Sequence, residues 1–515
     1  MTTYGRGGFR VMAGALVVLL ALVFLPSSAG AHARLLRSQP AAGSTAGQPP
    51  KLVELWFNEE LEPNLNTVEV KDARGGRVDR GEVTLGEGGK KVEAALDELA
   101  SGTYAVEWKA VSADGHTIRG RFNFTVAGDA AAAAASQSPS PRPKEPAREA
   151  GTAATPVPQA QVANTADESP ITWADSLDRW LGYLAMMTLF GGFAVRLFVL
   201  GPALGHEGAG EGDAASATAV RRTLVLLRAG VIVLLAALLV SLVMQSSEVF
   251  GGGLAEAASV YHLRGLIGGT GFGRSWLLQA AAATALLVVT VLLGRTFRAG
   301  TAMGGAGLWW AGLLAAAVLL YGPVMTGHAA AAAKEYALSS ASDWLHLMAA
   351  GFWVGGLFHL ALALPPALSR LNGVRRTRAL ARVITLFTRL AVPCVAVLLL
   401  AGLYNSWTHV GSLSELWDTP YGRTLLVKVL LVLLMLALGA LNGFRLGPRA
   451  DQLAAAGDGS QDAGVERGFV RSVKAEALLG VLVLLATAAL VFITPARGHA
   501  AGDMRVNPAE IHEGR

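Results

Sequence analysis

The sequence predicts a small all-β domain tethered to an all-α polytopic membrane domain of about eight spans. Three observations predict it. Residues 32–127 are polar and carry short runs of alternating character, the period-two signature of strands. From Trp173 onward, apolar stretches long enough to cross a bilayer recur about eight times. The 515 residues are 52% hydrophobic and only 16% charged, with a mean hydropathy of +0.43, too apolar for a soluble chain of this length.

Residues 1–31 read as a signal peptide. Arg6 and Arg10 precede the apolar run from Val11 to Leu25, and Ala29, Gly30 and Ala31 supply the small-residue cleavage pattern. A cut after Ala31 makes His32 the first residue of the mature chain. The β domain follows at 32–127, with alternating runs at 51–57, 67–71, 103–109 and 120–126 and Gly, Asp and Asn between them. That spacing predicts a sandwich or barrel, and roughly a hundred residues suffice for one core.

Residues 128–170 open on an alanine run and continue rich in Pro, Ser, Gln and Ala without apolar periodicity, which predicts a flexible linker. Such a tether spans roughly 35–40 Å root-mean-square, enough for the β domain to fold back onto the membrane surface. The membrane domain occupies 171–497, with spans near 174–200, 223–246, 274–294, 307–326, 343–364, 384–408, 424–444 and 474–494, and a tail at 498–515. If the β domain is exported, the first span runs inward. That places Arg221, Arg222, Arg295, Arg298, Arg375, Arg376, Arg378, Arg382, Arg445, Arg449, Arg471 and Lys474 inside. Arg264, Lys334 and Arg423 remain in the outer loops, in accord with the positive-inside rule. The predicted localisation is the plasma membrane, multi-pass, with the β domain on the extracellular or periplasmic side.

The formal charge of +5 is modest and the arginines lie between apolar runs, so they read as topology signals rather than a nucleic-acid patch. The single cysteine, Cys394, excludes a disulfide framework and a thiolate metal cluster. There is no Walker loop, so ATP is not the driving force within this chain.

The chemistry concentrates at two points of the β domain. A histidine at the mature N-terminus offers an amine and an imidazole on one residue, a chelate for copper. Asp114 and His116, two apart around Gly115, share a face on extended backbone. Imidazoles, a carboxylate and an amine suit Cu(II), and no methionine between His32 and Val126 supplies a thioether for Cu(I). Taken alone, Asp114-Gly115-His116 reads as a turn.

With His32, Ser38, Gln39 and Pro40, the block from Tyr104, Val106 and Trp108 to Ser112, Asp114, Gly115 and His116, and then Gly120, Phe122, Phe124 and Val126, the domain resembles the CopC family of periplasmic copper-binding proteins. The resemblance implies a seven-stranded Greek-key barrel binding Cu(II) through the His32 amine and ring, Asp114 and His116. The lack of methionines places it with members holding only the Cu(II) site. The membrane part resembles the CopD family through Gly327 and His328, through His346, Trp353, Gly355 and Gly356, and through Pro495, Gly498 and His499. The domain order is similar to that of CopC–CopD fusions.

On the predicted topology His328, His346, His409 and His499 fall at the outer ends of their spans, with Met325 and Met348 nearby as softer ligands. Asp343 sits one turn before His346, where a carboxylate orients an imidazole or caps the helix. His262 and His409 read as solvated loop residues. His359 lies about 20 Å beyond His346 along a helix, either a second copper station or a buried histidine bonded to a neighbouring span. The candidate membrane copper path is therefore Met325, His328, His346, Met348, His359 and His499.

The expected function is capture of Cu(II) outside the cell and its passage to the multi-span domain, for import. Resistance by sequestration or export is the alternative. A copper monooxygenase would share an N-terminal histidine and a second histidine, but Asp114 would fill the position that oxygen chemistry leaves open, and the chain reads as no enzyme. A sensor or chaperone merely anchored to the membrane would need one helix, not eight. The expected partners are the copper ion and the lipid bilayer, without nucleic acid; any reductase or chaperone partner is not legible.

Overall fold

A computed structural model describes residues 35–112, 117–127, 173–205, 210–299, 305–326, 336–409, 414–456 and 462–491. The expected signal peptide, linker and tail lie outside these residues.

The β domain has strands β1 Leu35–Gln39, β2 Thr45–Ala46, β3 Leu52–Phe57, β4 Thr67–Lys71, β5 Asp79–Gly86, β6 Lys91–Leu96, β7 Gly102–Val111 and β8 Thr117–Val126. They form two four-stranded sheets, in the orders β1-β3-β6-β5 and β2-β8-β7-β4. Among the described residues the strands number eight where the resemblance implied seven, because the two-residue β2 pairs in parallel with Thr125 and Val126. Alternation does the building. Val53, Leu55 and Phe57 of β3, Val92, Ala94 and Leu96 of β6, and Tyr104, Val106, Trp108 and Ala110 of β7 all point inward into one core.

Among the described residues, eight helices have membrane-crossing length and apolarity: α1 Ala174–Gly205, α2 Glu211–Phe250, α4 Gly271–Arg298, α5 Ala306–Met325, α6 Ser339–Leu362, α7 Gly373–Tyr404, α8 Pro420–Ala456 and α9 Gly464–Leu490. A shorter helix, α3 Val260–Gly269, joins α2 to α4. The number and order match the expected spans, and the helices run past the apolar stretches at several ends. Of the most apolar eighteen residues in each span, 67% are buried in α1 and 61% in α6, against 6% in α8. So α1 and α6 form the middle of the bundle, and α8 turns its leucines and valines outward, as a lipid-facing helix does.

Glycine lets the two central helices meet. A Cβ on Gly355 of α6 would strike the carbonyl oxygen of Met187 in α1, and one on Gly191 would strike the Gly355 backbone. Small residues at such crossings allow close backbone approach between membrane helices.

The β domain is seated on the ends of α2, α3 and α4. Lys109 Nζ donates to the Val249 carbonyl at 2.7 Å and Arg119 Nη2 to the Glu248 carbonyl at 3.1 Å, both in the last turn of α2. The backbone N–H of Gly271, first residue of α4, donates to the Glu62 carboxylate. Between these contacts Val111 packs into a cluster with Leu242, Val249 and Leu266, flanked by Leu65 and Leu263. The basic residues expected inside, from Arg221 to Lys474, lie toward the helix ends of the opposite face.

Candidate metal centre

The expected ligands Asp114 and His116 fall between β7 and β8 in the sequence. The two strands pair without a bulge from Gly102 and Val126 to Val111 and Thr117. Trp108 faces Gly120 across the pair, and its indole lies where a Gly120 Cβ would be; Phe57 of the other sheet meets it edge-on at 5.4 Å. The motif residues Tyr104, Val106, Trp108, Phe122, Phe124 and Val126 are thus core residues that stiffen the hairpin.

The segment from Leu61 to Asn66 braces its end. Leu61 bridges to Ser112, the Glu62 N–H donates to the Val111 carbonyl at 2.7 Å, and the Val111 N–H donates to Asn66 Oδ1 at 3.0 Å. Asn66 Nδ2 in turn donates to the Glu62 carbonyl at 2.7 Å.

Asp114 and His116 lie outside the described residues, and so does His32. Their flanking residues are described. Leu35, three residues after His32, pairs with Phe57 at the end of β3. Phe57 packs on Trp108 near the end of β7, so Leu35, Ser112 and Thr117 share one end of the sandwich. That is the end seated on the helices through Lys109 and Val111.

In the helical domain His328 and His499 lie outside the described residues, and His409 is placed in a helix whose side chains at that point are not described. His346 of α6 is described; its Nδ1 is buried without a hydrogen-bond partner. Asp343 therefore does not hold that nitrogen. Nor does it cap the helix: α6 begins four residues earlier as a span, at Ser339, and its helical turns start at Tyr336. Lys428 of α8 is close enough to act on His346 electrostatically. Met325 ends α5, and Met348 packs against the bundle core.

His359 is fully buried at 0% exposure. Its Nε2–H donates to the Thr188 carbonyl of α1 at 3.0 Å while Nδ1 has no partner. Its ring occupies the space that Gly192 leaves open, the geometry of a buried histidine bonded to a neighbouring span. Among the described residues no three His, Cys, Asp or Glu side chains gather as a metal cluster. Reading the sequence missed Glu476, 1% exposed in α9, which accepts from Asn442 Nδ2 of α8; a carboxylate inside an apolar run was the available signal.

The arrangement is that of a copper-family β domain fused to and resting on a polytopic helical domain. Residues 35–127 match the CopC domain, 170–338 the N-terminal domain of copper resistance protein D-like proteins, and 381–490 copper resistance protein D. The chain is 29% identical to the copper transport protein CutJ of Bacillus subtilis (strain 168) over 475 residues, 92% of this chain and 76% of that protein. Its β domain is 34% identical to copper resistance protein C of Pseudomonas syringae pv. tomato over 118 residues, 21% of this chain and 93% of that protein. The crystal structure of CopC from Methylosinus trichosporium OB3b aligns at 30% identity over 19% of this chain and 96% of that one, with a TM-score of 0.18. The chain belongs to the CopC family through its β domain and carries the CopD membrane domain behind it. It is a membrane protein built from copper-family domains.

Proposed function

We propose that this chain captures Cu(II) outside the cell and passes it to the eight-span domain for import. His32 supplies its amine and imidazole, and Asp114 and His116 complete the ligand set. The observation that carries this reading is that Leu35 on one side and Ser112 and Thr117 on the other lie at the same end of the β sandwich, the end seated on the helices. Ligands three residues from Leu35 and between Ser112 and Thr117 are within reach of one another there, since each residue of extended chain spans at most about 3.6 Å. The clustering of arginines on the face away from the β domain supports the outward placement of that domain.

Isotopic copper accumulation in cells with and without the gene tests the direction. Import predicts lower accumulation in the deletion, rescued by the native chain and not by Asp114→Ala/His116→Ala. Equal accumulation removes import, and greater accumulation in the deletion reverses it. Mass spectrometry of the mature N-terminus must return His32, because any other start leaves the ligand set short of its amine.

A further inference from the structure

The short helix beneath the β domain carries a histidine that the proposed path does not use. His262 lies in the first turn of α3, capped by Ser259, whose side chain accepts from the His262 N–H. Its ring is fixed on three sides. Nδ1–H donates to the Glu256 carbonyl at 3.0 Å, the Phe250 ring stacks on it at 4.5 Å with 7° between planes, and Tyr261 closes at 5.6 Å. A carbonyl can only accept, so Nδ1 carries a proton and Nε2 is the ring nitrogen left for a metal. Nε2 makes no hydrogen bond among the described residues.

The position matters as much as the ring's orientation. Leu266 is one turn further along α3, on the same face as His262, and it packs with Val111 of the hairpin. Asp114 is three residues past Val111, a reach of at most about 11 Å. Phe250, which stacks on the imidazole, belongs to the same apolar cluster that seats the β domain. A prepared imidazole thus stands beside the seat of the domain that holds the metal loop.

We propose that His262 is the first copper ligand of the membrane domain, taking Cu(II) from the exported domain while that domain is docked. The step is a ligand exchange: a Cu–Nε2 bond forms as one bond to the β domain breaks, any proton on Nε2 passes to solvent, and no electron is transferred. The inference rests on the capture function above.

The test uses the full chain with His262→Asn, because an asparagine amide can still donate to the Glu256 carbonyl while removing the Nε2 ligand. Three measurements are made on this variant and on the native chain: the Cu(II) electron-paramagnetic-resonance signal of the β domain, the hydrogen-exchange protection of the Gly271 amide, and the initial rate of isotopic copper uptake. The expected result is an unchanged signal and unchanged protection, with uptake lowered at least about tenfold. Uptake equal to native overturns this inference and leaves capture standing. A slow variant with a deprotected Gly271 amide also overturns it, since His262 would then act only through docking. A native chain that shows no Cu(II) signal overturns capture and this step together.

Discussion

Asp79 keeps its charge although only 1% of its side chain is exposed. Burial by itself would raise its pKa. Arg77, with Nη2 at 2.7 Å, and the backbone N–H groups of Val70 and Gly81, at 2.8 and 3.0 Å, outweigh that and hold the carboxyl below its usual range. A carboxylate whose folded pKa is depressed contributes stability that is present above the unfolded value near 3.8 and is lost as pH falls through the lower folded value. Asp79→Asn should therefore cost about 1–3 kcal/mol at neutral pH. It should also flatten the acid limb of a thermal-unfolding series between pH 5 and pH 2, roughly; an unchanged limb would show that the carboxylate is not what acid attacks. At this scale the sequence was informative where a residue's role is local. Trp108, Gly120 and Phe122 stood out in the sequence as residues of the CopC-like motif, and the structure gives the reason: an indole, the gap that receives it and an inward phenylalanine sit on two adjacent strands. Glu62 did not, because its carboxylate meets the N–H of Gly271, 209 positions away, and no pattern within the β domain announces that contact.

At the scale of elements, the eight spans were legible because crossing a bilayer requires about twenty apolar residues, whatever the neighbours are. Their ends were not. The stretch at 223–246 belongs to a helix of 40 residues, Glu211–Phe250, whose first turns are polar and invisible to hydropathy. Which spans are central does not follow from apolarity alone, since α8, at a mean hydropathy of 2.6, is more apolar than α1, at 1.8, yet is 6% buried against 67%. The information lies in glycines. Gly355 faces the Met187 carbonyl with no room for a methyl group, and the obstructing atom is backbone that cannot rotate aside. Gly355→Ala should therefore force α6 away from α1, at a cost of about 1–3 kcal/mol, and lengthen the bond from His359 to Thr188. Gly182→Ala on α1, where nothing lies within 4 Å, should be neutral or mildly stabilising by helix propensity. Thermal unfolding of both variants in detergent checks this, and equal melting temperatures would mean that the crossing tolerates a methyl group.

For the whole molecule, the question is what holds the β domain in register with the helices. The last carbonyls of a helix and its first N–H groups lack partners within the helix and carry the negative and positive ends of its dipole. The β domain meets both with the complementary charge: Lys109 and Arg119 at the end of α2, and Glu62 at the start of α4. Each such contact contributes about 0.3–2 kcal/mol when partly buried, and Val111 adds its apolar surface to the seat. The three are unequal. Burial and the neighbouring Arg119 charge lower the pKa of Lys109, so Lys109→Met loses a hydrogen bond but also relieves a strained charge. Glu62→Lys has no such compensation, because it sets a cation against the positive end of α4. Hydrogen exchange at Gly271 should therefore rise strongly in Glu62→Lys and slightly in Lys109→Met, with copper uptake falling in the same order while Cu(II) capture stays native. Uptake that follows Lys109 rather than Glu62 would mean that the end of α2, and not the start of α4, sets the position from which the metal is handed on.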